Sequence, residues 1–252
     1  MEAFTIQIAG LTTRVQPLFV STQEYCRAYL SDREPEFEVR VTESDLVYEQ
    51  KMAEIEAVEE GLRIRKFTEP FLERATIQRK IALELLHRNT LLLHGSCVGV
   101  DGAAYLFAAP CRTGKSTHTR FWRETFGSRA VMVNDDKTFL QLTDSAVLAY
   151  GSPWSGKHGL DTNVCLPLKG ICFLRRGTEN CIYPAKPKDV LKELAHQCFL
   201  PELPDDQDKA MALVRTLAQR VSLWQMDCTR DPIAAQVAYN AMSNCGVESF
   251  DD

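Results

Sequence analysis

The chain lacks the marks of several protein classes. It has no C-x-x-C pair and no paired Cys/His spacing, which argues against a structural zinc site. Its nine cysteines are scattered singly. With no export signal, they are expected to be reduced thiols in a cytoplasm, most of them small core residues. The start, MEAFTIQIAG, has neither a basic opening nor a long apolar stretch, so no signal peptide is predicted. No apolar run approaches the length needed to span a bilayer; NTLLLHGSCVGV is short and interrupted. Excess positive charge is also missing. The net charge is -5, and no nucleic-acid partner is expected. Internal repeats and low-complexity linkers are absent.

The 252 residues, 45% hydrophobic and 25% charged, are enough for one large domain or a domain with a smaller appended unit. In the first part, AFTIQIAG and EFEVRVT alternate like strands, and STQEYCRAYL has helical spacing with Ser21 as a cap. ESDLVYEQKMAEIEAVEE predicts an acidic helix. From Glu69 to His87 a stronger helix has Pro70 in its first turn. Its apolar face is Phe71, Leu72, Ala75, Ile81, Leu85 and Leu86. The texture then changes to short β-rich runs separated by turn residues, from TLLLHGSCVGV to KGICFLRRG. Asp101-Gly102 between two of these runs predicts a tight hairpin. Helices are expected from Lys115 to about Thr125 and near Lys188–Phe199, Asp205–Arg220 and Asp231–Asn240, with VSLWQM a strand between the last two. The predicted organisation is a small α+β unit over 1–88 and an α/β core with a mixed sheet over 89–252.

The most informative stretch is AAPCRTGKST, Ala108 to Thr117. It fits the phosphate-binding pattern G-x-x-x-x-G-K-[ST], except that Ala109 replaces the first glycine and Cys111-Arg112 fills the middle. Gly-Lys-[Ser/Thr] alone is expected by chance about 0.1 times in a chain of this length. The context is what gives it weight. AYLFAAP before it reads as a buried strand and KSTHTRFWRETF after it as a helix, the arrangement such a loop requires. Ala109, Pro110, Cys111, Arg112, Thr113 and Gly114 would then form the nucleotide-binding loop, with successive backbone N–H groups around Thr113 to Ser116 wrapping a phosphate at a helix N-terminus. Lys115 would reach the outer phosphate oxygens, Ser116 would hold Mg²⁺, and Thr117 would add a phosphate contact. Eighteen residues beyond Ser116, VMVNDD is an apolar strand ending in Asp135 and Asp136. An acid pair there can serve a metal ion and deprotonate an attacking hydroxyl.

The order of these motifs resembles the P-loop kinases of the HPr kinase and ATP-type phosphoenolpyruvate carboxykinase superfamily. LLLHGSCVGVDG precedes the loop strand, the tandem acids of VNDD follow one helix later, and YGSPWSGKHGLDTN and GICFLRRG come after. The match covers about Leu91 to Arg176 and is closest to small, stand-alone HPr-kinase-like proteins. The resemblance implies ATP or another nucleoside phosphate with Mg²⁺ and transfer to a hydroxyl. It implies roles for His94, Asp135, Asp136, Lys115 and Ser116, with Asp135 as base and Asp136 on the metal. Trp154 and Lys157 become candidates for nucleotide or acceptor contact. Arg176 becomes a candidate phosphate clamp, ahead of Arg175. A homo-oligomer is implied because the parent kinase assembles. The chain departs from that kinase in its first 88 residues and in lacking its C-terminal signature, so HPr is a poor guess for the acceptor; a peptide or a small hydroxyl compound fits better. The competing expectation, motivated by Ala109 and Arg112, is a nucleotide-binding regulatory or scaffold protein with little turnover.

Overall fold

The computed structural model describes residues 1–59, 61, 63–110 and 113–244. These fall into two compact units, Met1–Leu85 and a second beginning at Leu86.

The first unit holds a three-stranded sheet, β1 (Phe4–Ile8), β2 (Leu11–Gln16) and β3 (Phe37–Arg40), in that order. β1 and β2 are antiparallel around Ala9-Gly10, both with positive φ. The expected AFTIQIAG strand is therefore one arm of a hairpin whose second arm, LTTRVQ, alternation does not predict. It buries Thr12 and Thr13 in place of apolar side chains. The helices are α1 (Ser21–Tyr25), α2 (Glu43–Glu59) and α3 (Glu69–Leu86). Ser21 is not a cap. Val20 takes the position before the first turn in a helical conformation, with no side-chain bond to the helix end. Leu72, Ile81, Leu85 and Leu86 are buried as expected for α3, but Phe71 is exposed and stacks on Phe67. Ile77 and Ala82 complete the buried stripe instead, and Glu73 lies within it. The carboxylate of Glu73 accepts from the Leu18 amide and the Thr22 hydroxyl, which satisfies the buried charge.

The second unit is built on β4 (Thr90–His94), β5 (Ser96–Val100), β6 (Ala103–Ala108), β7 (Ala130–Asn134), β8 (Lys137–Leu142), β9 (Val147–Tyr150), β10 (Cys165–Arg176), β11 (Cys181–Pro184) and β12 (Ser222–Cys228). Its helices are α4 (Lys115–Phe126), α5 (Pro187–Gln197), α6 (Pro204–Arg220) and α7 (Ile233–Ser243). The sheet is mixed. Its strands run β4-β8-β9-β10-β6-β5-β7, with β12 also on β10 and β11 on β12. The parallel strands β6, β10 and β12 carry near-continuous apolar runs because both faces are covered. Alternate residues face opposite ways. Leu106, Ala108, Ile171 and Phe173 join the core with Val190 and Leu194 of α5 and Val214 and Leu217 of α6. Tyr105, Phe107, Cys172 and Leu174 join the other with Trp122 of α4 and Ala235 and Ala238 of α7. Burying each large side chain contributes about 1.5–3 kcal/mol. The β5–β6 hairpin turns at Asp101-Gly102, both with positive φ, with Val100 opposite Ala103. That is the two-residue turn that Asp-Gly favours.

TLLLHGSCVGV is not one strand. It breaks at Gly95 into β4 and β5, which lie far apart in the strand order. The β7–β8 connection makes the same jump at Asp135-Asp136. The two crossings touch, the Gly95 amide donating to the Asp136 carbonyl at 2.9 Å. A Cβ on Gly95 would lie 2.8 Å from Leu106 Cδ2 and 3.1 Å from the Phe107 carbonyl oxygen, so only glycine fits. This double crossing brings His94 and the acid pair together.

Candidate functional site

The loop joins the C-terminal end of β6 to α4. Ala109 is fully buried and is not among the residues with positive φ, so its Cβ carries no backbone penalty. Glycine is required at Gly114, with φ of +122° just before the first turn of α4. Pro110 is exposed, and its carbonyl accepts from the Thr113 amide at 3.2 Å. Cys111 and Arg112 lie outside the described residues. Lys115 folds back over the loop, its Nζ donating to the Ala109 carbonyl at 2.8 Å. Ser116 and Thr117 follow it in the first turn.

Asp135 and Asp136 have unlike surroundings. Asp135 is buried, and its Oδ1 accepts from the Ser96 hydroxyl at 2.7 Å. That commits the Ser96 proton, so the Thr119 hydroxyl is the donor in its 2.7 Å contact with Ser96. A chain of hydroxyls thus ties α4 through β5 to the first acid. Asp136 is half-buried and lies 3.2 Å from His94 Nε2. Burial raises the pKa of Asp136, opposed by Lys137 and Lys115 and assisted by Asp135. Burial pushes His94 down to about 3, aided by the charges of Lys137, Lys115 and His196. Burial thus favours the neutral form of His94, whose Nε2 lies against the Asp136 carboxyl.

Asn134 clasps this corner. Its Oδ1 accepts from the amides of Asp136 and Lys137 at 2.8 and 2.6 Å. Its Nδ2 donates to the carbonyl and hydroxyl of Ser152 at 2.8 and 3.1 Å. The segment after β9 is thereby fastened beside the acids. Gly156, with φ of +69°, passes so close to Asp136 that a Cβ there would lie 3.3 Å from the Asp136 Cβ. Ser155 donates to Asp161 at 2.5 Å. Trp154 is buried and meets Phe139 edge-on at 6.4 Å, while Lys157 is exposed on the same segment.

Arg176 ends β10 and, with Thr113, Gly114 and Thr117, lines a cleft of about 380 Å³ beside the loop. Arg175 pairs with Glu193 at 3.8 Å. The structure thus gathers Lys115, Asp136 and His94 in one electrostatic neighbourhood, with Asp135 adjacent, and sets Arg176 on the cleft side of the loop. Ser96, Thr119 and Asn134 are parts of this site that sequence reasoning passed over. Only Asn134 carried a signal, as the residue before the acid pair.

No family model and no curated protein matches the chain. Among solved structures, the chain is similar to the HPr(Ser) kinase/phosphatase from Coxiella burnetii, with a TM-score of 0.38 and 10% identity over 60% of this chain and 95% of that one. This is a distant structural likeness. No helix among the described residues is long and apolar enough to cross a membrane.

Proposed function

We propose that the protein is an ATP- and Mg²⁺-dependent kinase that phosphorylates a hydroxyl, on a peptide or a small molecule. The observation that carries this is the convergence of a Gly-Lys-Ser loop at a helix N-terminus with a carboxylate pair whose nearer member feels the Lys115 charge. The donor set suits Mg²⁺, which takes hard oxygens from one or two carboxylates and completes its shell with phosphates and water. Asp136 and the Ser116 hydroxyl would hold it. Bound there, the ion would neutralise charge on the transferring phosphate.

The chain's own residues supply the rest. Lys115 offers an ammonium to the outer phosphates once it releases the Ala109 carbonyl. Asp135 would take the proton of the acceptor hydroxyl as that oxygen bonds to the terminal phosphorus and the bridging P–O bond breaks to release ADP. Its hydrogen bond from Ser96 fixes the carboxylate orientation. His94, with Nε2 3.2 Å from Asp136, helps position that acid. Trp154 stiffens the segment that carries Lys157, which is exposed for acceptor contact. Arg176 clamps phosphate from the cleft side.

One observation favours exchanging the two acids: Asp136 is the carboxyl whose proton affinity burial raises. Initial rates with a fixed acceptor decide between them. With Asp135 as base, Asp135→Asn lowers kcat at least about a hundredfold with ATP-Mg²⁺ affinity kept, whereas Asp136→Asn raises the Mg²⁺ concentration needed for half-maximal rate. The opposite pattern assigns the base to Asp136. Full activity in both variants contradicts a catalytic role for either acid, and no transfer by the wild type contradicts a kinase.

A further inference from the structure

The loop stands between two unlike regions. On one side, across β5, lie the acids at the end of β7. On the other, where β6 pairs with β10 and β10 with β12, lies the cleft. A linear polyphosphate seated on the loop would have the acids to one side and this cleft to the other. At about 380 Å³ the cleft is within the range of small-molecule sites and larger than a phosphate needs.

Its walls are built rather than incidental. Thr117, His118 and Phe121 come from α4, Arg176 from the end of β10, and Thr229 and Arg230 from the turn after β12. Arg176 and Cys228 are register partners on adjacent parallel strands. The turn is pinned by Asn180, whose Oδ1 accepts the Thr229 amide at 2.9 Å and its hydroxyl at 3.3 Å. The Gly177 amide donates to the Cys228 carbonyl at 3.1 Å, and a Cβ on Gly177 would lie 2.8 Å from Asp227 Cβ.

His118 is the unexpected member. It is 3% exposed, and its Nε2 accepts from the Trp122 indole N–H at 3.1 Å. Indole nitrogen only donates, so this bond fixes the tautomer. The proton sits on Nδ1, the other nitrogen of a ring that lines the cleft. Burial also pushes His118 down to about 3, so the ring is uncharged. A neutral donor suits a neutral acceptor, such as a ribose oxygen or a base nitrogen or carbonyl. Phe121 supplies an apolar wall, and a guanidinium can stack on a heterocycle.

We propose that this cleft seats the nucleoside half of the phosphate donor, with the Nδ1–H of His118 as its hydrogen-bond donor and Arg230 against the base, so that the donor is a nucleoside triphosphate and not an inorganic polyphosphate. The assignment rests on the phosphate-site reading above, and the two can fail separately. Calorimetric titration of the full chain with ATP-Mg²⁺ and with tripolyphosphate-Mg²⁺ separates them. ATP binds at least about tenfold tighter than tripolyphosphate, and His118→Phe and Arg230→Ala each remove most of that difference while changing tripolyphosphate affinity less than about twofold. Equal affinity for the two ligands overturns the nucleoside seat and leaves the phosphate site standing. Binding of neither overturns both. Should His118→Phe fail to fold by circular dichroism, nitrogen NMR of the wild type replaces it. The Nδ1–H resonance of His118 shifts with ATP and not with tripolyphosphate, and a protonated Nε2 or an unmoved resonance overturns the proposal.

Discussion

At the scale of single residues, the interior sets protonation. His118 is held neutral because a charged ring would be buried away from water, and the Trp122 N–H that meets its Nε2 can only donate. The sign of its effect on stability follows. The unfolded chain takes up a proton as pH falls through 6.5, whereas the folded chain does so only near 3. Stability is fully present above pH 6.5 and is lost as pH falls towards 3. Between pH 6.5 and 5 this one group lowers the unfolding free energy by about 2 kcal/mol. Denaturant melts at the two pH values check it, with His118→Phe expected to flatten the dependence. A His118 titrating near 6.5 by NMR contradicts it. Nothing in the sequence marked His118, because its meaning comes from Trp122 one turn away and from Thr229 and Arg230, which arrive through strand pairing. The strand–loop–helix turn at Gly-Lys-Ser was legible because its parts are contiguous in the chain.

At the scale of elements, the acids are placed by two chain crossings and a clasp. Asn134 makes four hydrogen bonds from a buried position, two to the acid turn and two to Ser152. Asn134→Ala leaves buried groups unpaired and is expected to cost about 3 kcal/mol. Gly151 is tighter still, since a Cβ there would lie 1.9 Å from the Thr162 carbonyl oxygen. Gly151→Ala must displace the segment carrying Trp154 and Lys157, with a loss of about 3 kcal/mol. Chemical denaturation measures both, and wild-type stability in either contradicts the clasp. Local elements were readable where local chemistry decides them. The Asp-Gly hairpin and the helices after Lys115, Pro187 and Pro204 follow from turn and start signals. LTTRVQ and CIYP gave no such signal, because each becomes a strand through a partner elsewhere. The break at Gly95 was hidden inside a run that reads as one strand.

At the scale of the whole molecule, the second unit is a mixed sheet with helices on both faces, and the Gly-Lys-Ser loop lies at the C-terminal end of β6, one of its parallel strands. That is where open α/β sheets bind ligands. The alternation of short β-rich runs and helices foreshadowed an α/β core with a mixed sheet, but not the sheet order, which depends on pairings between distant segments. Nor did it foreshadow the cleft, whose walls come from α4 and from two strands that follow it by about fifty and one hundred residues. The three scales converge on one claim: a nucleoside phosphate sits on the loop under Lys115.

Titration calorimetry of the full chain with ATP-Mg²⁺, wild type beside Lys115→Ala, tests that claim most directly. The wild type is expected to bind one ATP, and ATP at a hundredfold above its Kd to stabilise the fold by about 2.7 kcal/mol. Lys115→Ala is expected to keep its circular dichroism spectrum and lose at least about tenfold in affinity. No heat of binding in the wild type, or equal affinity in the two proteins, would contradict it.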